Sequence, residues 1–122
     1  MISPGARFAQ ALAAKDVDAL RAVLTDDVDF LGLTPRRLWE GGSPDEVLEV
    51  LLGHWFEEED RIDALEEVQE GEPVVDTAHV AYRLRITTPT GPHVAAQQAY
   101  YRADGDRIGY LRVMCSGFRP AT

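Results

Sequence analysis

AQQAYYRADGDRIGYLRV, residues 96–113, decides how the rest of the chain reads. Asp104-Gly105-Asp106 is a hairpin turn, because aspartate-glycine tolerates the backbone that a tight β-turn needs. Side chains alternate on both arms, as strands require, with Gln97, Ala99, Tyr101, Leu111 and Val113 on one face. Gln98, Tyr100, Arg102, Tyr110 and Arg112 share the other. Alternation alone does not say which face turns inward, or whether that face meets packed side chains or a ligand cavity.

Working back from the hairpin, Pro89-Thr90-Gly91-Pro92 is a turn, preceded by HVAYRLRITT. Val80, Tyr82, Leu84 and Ile86 share one face of that strand, opposite Ala81, Arg83, Arg85 and Thr87. RIDALEEVQEGEPVV reads as strand, although its charges also suit a helix. Further upstream, SPDEVLEVLLGHWF begins a helix: Ser43 caps it, Pro44 takes its first position, and Asp45 and Glu46 fill the first turn. This helix is apolar over much of its circumference and predicts a curved sheet wrapped around it. VDFLGL alternates as a strand with Val28, Phe30 and Gly32 on one side, before Thr34-Pro35-Arg36-Arg37 interrupts. Two short helices come first, one capped by Ser3 with Pro4 at its start, the other capped by Asp16. Helices followed by a run of antiparallel strands make an α+β layout.

The chain has 122 residues, enough to bury a core as one domain spanning residues 1–122. Twelve basic and twenty-one acidic side chains leave a formal charge of −9, which repels phosphate backbones and anionic lipid and serves solubility. Nucleic acid and membrane surfaces are therefore not the expected partners. All basic residues except Lys15 are arginine, the usage of a GC-rich bacterial genome. Cys115 is the only cysteine, which fits a reducing cytoplasm, and one cysteine with three scattered histidines gives no metal spacing. No stretch reaches the roughly 18 apolar residues of a membrane span. The start of the chain lacks the pattern of a secretion signal. Neither a cofactor nor a metal is expected.

FAQALAAKDVDALRAVLTDDVDF, GGSPDEVLEVL and YYRADGDRIGYLRV, in this order and spacing, resemble the nuclear transport factor 2-like superfamily, in particular its SnoaL-like branch. The resemblance implies a cone: N-terminal helices packed in a strongly curved antiparallel or mixed sheet, with an apolar pocket inside. Its members include ketosteroid isomerases, polyketide cyclases, epoxide hydrolases and non-catalytic proteins, so fold alone does not name a reaction. Carried over one at a time, the isomerases' catalytic positions fall on Phe8, Gly32 and Ala99, none of which can supply an acid, a base or a hydroxyl. The acid that cyclases and epoxide hydrolases carry near the last strand has no counterpart in GYLRVMCSGF.

The same resemblance turns Tyr82, Leu84, Gln97, Ala99, Tyr101, Leu111, Val113 and Cys115 inward. With Phe30, Trp39 and Trp55 they form the expected ligand-binding wall. Tyr82 and Tyr101 either donate to a ligand or stand as core tyrosines with their hydroxyls on backbone. Gln97, if inward, needs partners for its amide from ligand, water or protein. Trp39, in LWEGG, lies where pocket mouths occur in this fold, whereas Trp55 also suits the core. His54, seven residues after Val47 and hence on the same helix face, is the candidate general base, against the alternative of a half-exposed helix end. His79 and His93 read as surface residues beside turns, and Cys115 as a small buried hydrophobe. Glu57 to Asp60 and Glu66-Glu67 read as a solvated face. The outer face, with Arg83, Arg85, Tyr100, Arg102, Tyr110, Arg112 and Met114, has the composition of an interface, and the resemblance implies a homodimer through it.

Three functions follow as expectations. The first is a protein binding a small apolar molecule in the cone. The second is an acid–base isomerase, cyclase or dehydratase acting on an apolar carbonyl compound, with His54 as base. The third is an interaction module using the outer face.

Overall fold

The computed structural model describes residues 2–121. Helices α1 (Pro4–Ala13) and α2 (Val17–Val23) start where the caps require. Ser3 Oγ accepts from Ala6 N–H at 3.1 Å, and the Asp16 carboxylate accepts from Ala19 N–H at 3.1 Å. Helix α3 (Pro44–Val50) is capped by Ser43, and Glu46 folds back to accept from Gly42 N–H at 2.7 Å.

Among the described residues there are seven strands, β1 and β2 before α3 and the rest after it: β1 (Leu24–Thr34), β2 (Arg37–Gly41), β3 (Arg61–Glu70), β4 (Ala78–Thr88), β5 (Gly91–Asp104), β6 (Arg107–Cys115) and the short β7 (Arg119–Pro120). They form one sheet in the order β2-β1-β6-β5-β4-β3, with β7 added to the start of β5. Only β1 and β6 run parallel, so the sheet is mixed. The β5–β6 hairpin closes through Gly105, whose φ of 68° is the left-handed backbone the turn demands. Helix α1 packs along β3 to β6, and α3 packs on β1 and β2, so the helices sit in the concave side of an open, curved sheet.

The inward face is the expected one. Val80, Tyr82, Leu84, Ile86, Ala99, Tyr101, Leu111 and Val113 are buried with Phe8, Leu12, Phe30, Val47 and Leu51 in one core. Burying this many large side chains at about 1.5–3 kcal/mol each is what holds the helices in the sheet.

β3 settles the stretch whose charges suited either helix or strand. Its acids are the cross-strand partners of the outer face of β4: Glu66 meets Arg85 at 3.0 Å, Glu67 meets Arg83 at 3.4 Å, and Thr87 donates to Asp63 at 2.6 Å. Two register shifts, with Glu67 at a φ of 55°, bend this edge strand. Charges and bulges also guard an exposed edge against pairing with another chain. β1 begins at Leu24, earlier than the alternation of VDFLGL suggests, and Trp39 lies in a strand of its own, β2, across from β1.

Candidate functional site

The helix that begins at Ser43 does not continue as an α-helix to Phe56. After Val50 it widens into a π-turn, Leu51–Trp55, closed by Phe56 N–H donating to Leu51 C=O at 2.8 Å. The wider turn rotates His54 off the Val47 face: Val47 is buried, whereas the His54 side chain is 46% exposed. It also brings residues five apart together, so that His54 Nε2 lies 3.5 Å from Glu49 Oε1. Gly53 makes room for this pair, since a Cβ there would sit 3.2 Å from the Glu49 carboxylate. On its other side the His54 ring meets Trp39, centroids 5.1 Å apart. Trp39 is held in turn by its indole N–H donating to Thr34 Oγ1 at 3.0 Å and by the Arg37 guanidinium 3.7 Å from its ring centre.

Trp39 and His54 stand on a ridge between two clefts. The outer one, of about 790 Å³, runs between β2 and α3 and is bordered by charged side chains including Asp29, Arg37, Asp45 and Glu49. The other, of about 500 Å³, opens at the mouth of the cone between the π-turn, the β4–β5 turn and the end of β6. Trp39, His54, Trp55, His93, Cys115 and Phe118 wall it, and Glu57, Glu59 and Asp60 line its lip. Phe118 is stacked on the buried Phe56, which ties this wall to the core. Lys15 clasps the lip from below, donating to Glu57 C=O at 2.7 Å and to Asp60 C=O.

Behind the mouth lies a polar row on the inner sheet face. Tyr82 pairs with Gln97, and Gln97 with Cys115, across β4, β5 and β6. Tyr82 donates its hydroxyl to Gln97 Oε1 at 2.6 Å, and this fixes the amide. Burial, with a smaller contribution from neighbouring Cys115, holds the Tyr82 phenol far above the ordinary tyrosine range, so it stays neutral. Gln97 Nε2 and Trp55 Nε1 are buried donors with no hydrogen-bond partner among the described residues.

A family model for the SnoaL-like domain matches residues 6–110. The chain belongs to the SnoaL-like family. Solved structures agree in fold. A ketosteroid isomerase-like protein from Erwinia carotovora atroseptica is 20% identical, covering 92% of this chain and 90% of that one, with a TM-score of 0.64. An LEH-like epoxide hydrolase from M. tuberculosis is 13% identical over 93% and 80% of the two chains, with a TM-score of 0.67. A protein with the ketosteroid isomerase-like fold from Catenulispora acidiphila, solved in complex with trimethylamine, is 11% identical over 93% and 85%, with a TM-score of 0.67. No curated protein matches the sequence.

In this SnoaL-like chain the expected ligand wall divides. Trp39, Trp55 and Cys115 line the mouth cleft, as does His54, and Phe30 borders the outer cleft. Tyr82, Leu84, Gln97, Ala99, Tyr101, Leu111 and Val113 do face inward, yet they are packed against the helices and border neither cleft. Tyr82 is not free to donate to a ligand, since its proton is given to Gln97. Trp55 closes the cone over Gly32: a Cβ on Gly32 would fall 2.6 Å from its Cη2 and Cζ2 atoms. Of the three carried-over catalytic positions, Phe8 and Ala99 are wholly buried and Gly32 lies beneath the Trp55 ring.

Alternation and spacing could not reveal the Glu49–His54 pair, because i,i+5 neighbours require a π-turn. The signal that could have pointed to it is Gly53 between an acid and a histidine in a helix otherwise free of glycine. His93 and Phe118 were likewise missed as wall residues; β7, pairing with β5, brings Phe118 over the mouth. Cys115 is half-buried rather than enclosed. Asp60 is no part of a solvated face: it is buried, and its carboxylate accepts from Glu57 N–H at 3.1 Å.

Proposed function

We propose that this chain binds a small apolar molecule in the mouth cleft rather than deep in the cone. The observation that carries the reading is the cleft itself, about 500 Å³ walled by Trp39, Trp55 and Phe118. That size and aromatic lining suit a small, flat organic ligand. Cys115, the sole cysteine, lines the cleft and serves as a built-in reporter. Nile red is expected to bind with enhanced fluorescence and to slow the reaction of Cys115 with a disulfide reagent. Binding that leaves the thiol rate unchanged lies elsewhere and overturns the reading.

The Glu49–His54 pair favours a second reading, acid–base catalysis on a molecule seated in that cleft. A carboxylate on Nε2 orients the imidazole and leaves Nδ1 to exchange a proton. Should His54→Gln leave turnover of an accepted substrate unchanged, this mechanism is gone.

The outer sheet face supports a homodimer. Met114 is 53% exposed there beside exposed Tyr100, while the arginines around them are already paired within the chain. Sedimentation velocity of Met114→Glu tests it, with a shift to monomer expected. A single cytoplasmic domain of bacterial origin, free of cofactor, completes the reading, supported by the continuous core and the free thiol. No helix among the described residues is long and apolar enough to cross a membrane.

A further inference from the structure

We infer that a hollow on the outer face of the sheet, framed by Arg83, Arg85 and Arg119, binds the phosphate group of a small phosphorylated molecule. The hollow shares no lining residue with the mouth cleft and does not depend on the binding proposed there.

The register of three neighbouring strands builds it. Val94 of β5 pairs with Arg85 of β4 on one side and with Arg119 of β7 on the other. Residues directly opposite each other share a face, so the two arginines stand on the outer face to either side of Val94. Neighbouring strands lie about 4.8 Å apart, which sets the two arginine Cα atoms roughly 10 Å from each other. Two long side chains can close that span over one small ion. Two residues along β5, Ala96 pairs with Arg83. On its other side Ala96 is held by Ser116, whose N–H donates to Ala96 C=O and whose hydroxyl accepts from Ala96 N–H, both at 2.9 Å. Val94 and Ala96 are small, whereas the next outward residues of β5, Gln98, Tyr100 and Arg102, are large. The floor is therefore low where the arginines stand, leaving a hollow of about 300 Å³ that Pro120 and Ala121 also line.

Every charged side chain lining the hollow is an arginine, in a chain that carries −9 as a whole. Arg85 donates its Nε–H to Glu66 at 3.0 Å, and Arg83 reaches Glu67 through Nη1 at 3.4 Å. Both acids stand on β3, across β4 from the hollow, so they restrain the two arginines without lining the site. A guanidinium has five N–H donors, and each of these two has spent one. Their side chains are 45% and 52% exposed, which leaves the remaining donors within reach of a ligand. Arg119 has no carboxylate partner among the described residues.

The shape of the donor set selects the anion. A carboxylate is planar and offers both oxygens in one direction, which a single arginine fork satisfies. Here the donors come from two walls, Arg83 and Arg85 on one and Arg119 on the other. A phosphate monoester offers three charged oxygens around a tetrahedral centre and accepts from both walls at once. The hollow leaves room for a small organic group on the ester oxygen. A nucleic-acid strand remains excluded, because the arginines frame one hollow rather than a track, and the acidic remainder of the chain repels a polyanion. The same acidity opposes loose accumulation of anions, so an anion held at low concentration is held by this local constellation.

The test follows the arginine Nε–H resonances of ¹⁵N-labelled protein during titration with phenyl phosphate, inorganic phosphate and benzoate, chloride holding the ionic strength constant. Phenyl phosphate is expected to move the Arg83, Arg85 and Arg119 signals saturably. Those of Arg102 and Arg112, elsewhere on the same face, should stay in place. Phenyl phosphate should bind at least about ten-fold more tightly than benzoate. Arg119→Gln should weaken it by a similar factor while unfolding in phosphate-free buffer stays unchanged, since Arg119 is exposed. Shifts that never saturate, or that chloride alone reproduces, are screening and overturn the inference. Benzoate binding as tightly as phenyl phosphate, or Arg119→Gln binding as wild type does, overturns it as well. Saturable binding of inorganic phosphate with phenyl phosphate shut out overturns the assignment to a phosphorylated molecule and leaves a site for the free ion.

Discussion

Gly32→Ala probes the feature that separates this chain from an open cone. The added methyl would lie 2.6 Å from Cη2 and Cζ2 of Trp55 and 3.0 Å from Cζ of Phe30. Carbon atoms rest at about 3.5–4.0 Å, so the indole must retreat by roughly 1 Å. Trp55 is pinned between Phe30, with ring centroids 6.2 Å apart, and the π-turn that carries it. Overpacking of this kind costs about 1–3 kcal/mol. Replacing a strand glycine recovers roughly 0.5–1 kcal/mol, through the lower entropy of the unfolded chain. The net expectation is a loss of about 1–2 kcal/mol, or on the order of 3–10 °C in Tm for a chain of this length. Thermal and urea unfolding followed by circular dichroism read it. Gly42→Ala is the control, since a Cβ there meets only Glu46 Oε1, at 3.6 Å. In a Trp55→Phe background the penalty should shrink, because the atoms that clash are gone. If Gly32→Ala is as stable as Gly42→Ala in the wild-type background, Trp55 does not fill the cone over Gly32, and the assignment of the site to the mouth loses its basis.

Other perturbations have equally defined outcomes. Tyr82→Phe strips Gln97 Oε1 of its 2.6 Å donor and should cost about 1–3 kcal/mol in urea unfolding. Because burial raises the Tyr82 phenol, the stability gained by keeping it neutral is intact below the ordinary tyrosine range and drains as pH rises through it. The alkaline tyrosinate absorbance of folded Tyr82→Phe should accordingly match wild type, and a loss of one titrating group before unfolding would contradict the buried placement. Thr87→Val removes the hydroxyl that, ahead of Arg61, holds the Asp63 carboxyl below its usual range. A depressed carboxylate stabilises above the ordinary acid range and loses that contribution as pH falls through its folded midpoint. The Asp63 midpoint in carbon-detected NMR should therefore rise in the variant, and an unchanged midpoint would refute the assignment. Lys15→Met cuts the contacts to Glu57 and Asp60 carbonyls and should speed amide hydrogen exchange at residues 57–60 with little change in the core.

Much of the fold was legible because the alternation in β4, β5 and β6 is clean and the turns between them carry aspartate, glycine and proline. Once the family resemblance oriented one strand face, the register carried the inward direction to every paired strand. The helix caps were equally plain, since Ser3, Asp16 and Ser43 each satisfy a backbone donor by local chemistry. The places that resisted are non-local. β3 looked ambiguous because its acids answer arginines on β4 that lie about twenty residues away in sequence. The π-turn changes a face by one inserted residue, which no apolar periodicity encodes. Nor does a list of inward residues tell how much space they leave: Gln97 and Tyr101 face inward as expected, and what they meet there is set by other elements, as where the Tyr101 ring lies against Gly5 of α1.

The Trp55 indole links the lost catalytic positions to the site's new location. The resemblance places the isomerases' base at residue 32, and in this chain glycine there leaves a hollow that Trp55 occupies. An acid restored at 32 would have to displace a tryptophan, so the empty position and the filled cone are one structural choice rather than two. The same placement leaves Trp55 Nε1 unpaired and sets the ring in the wall of the mouth cleft. The π-turn that carries Trp55 also sets His54 against Glu49 and Trp39. On the proposed reading the ligand is met at the rim, and the groups to test for any reaction are those of the mouth.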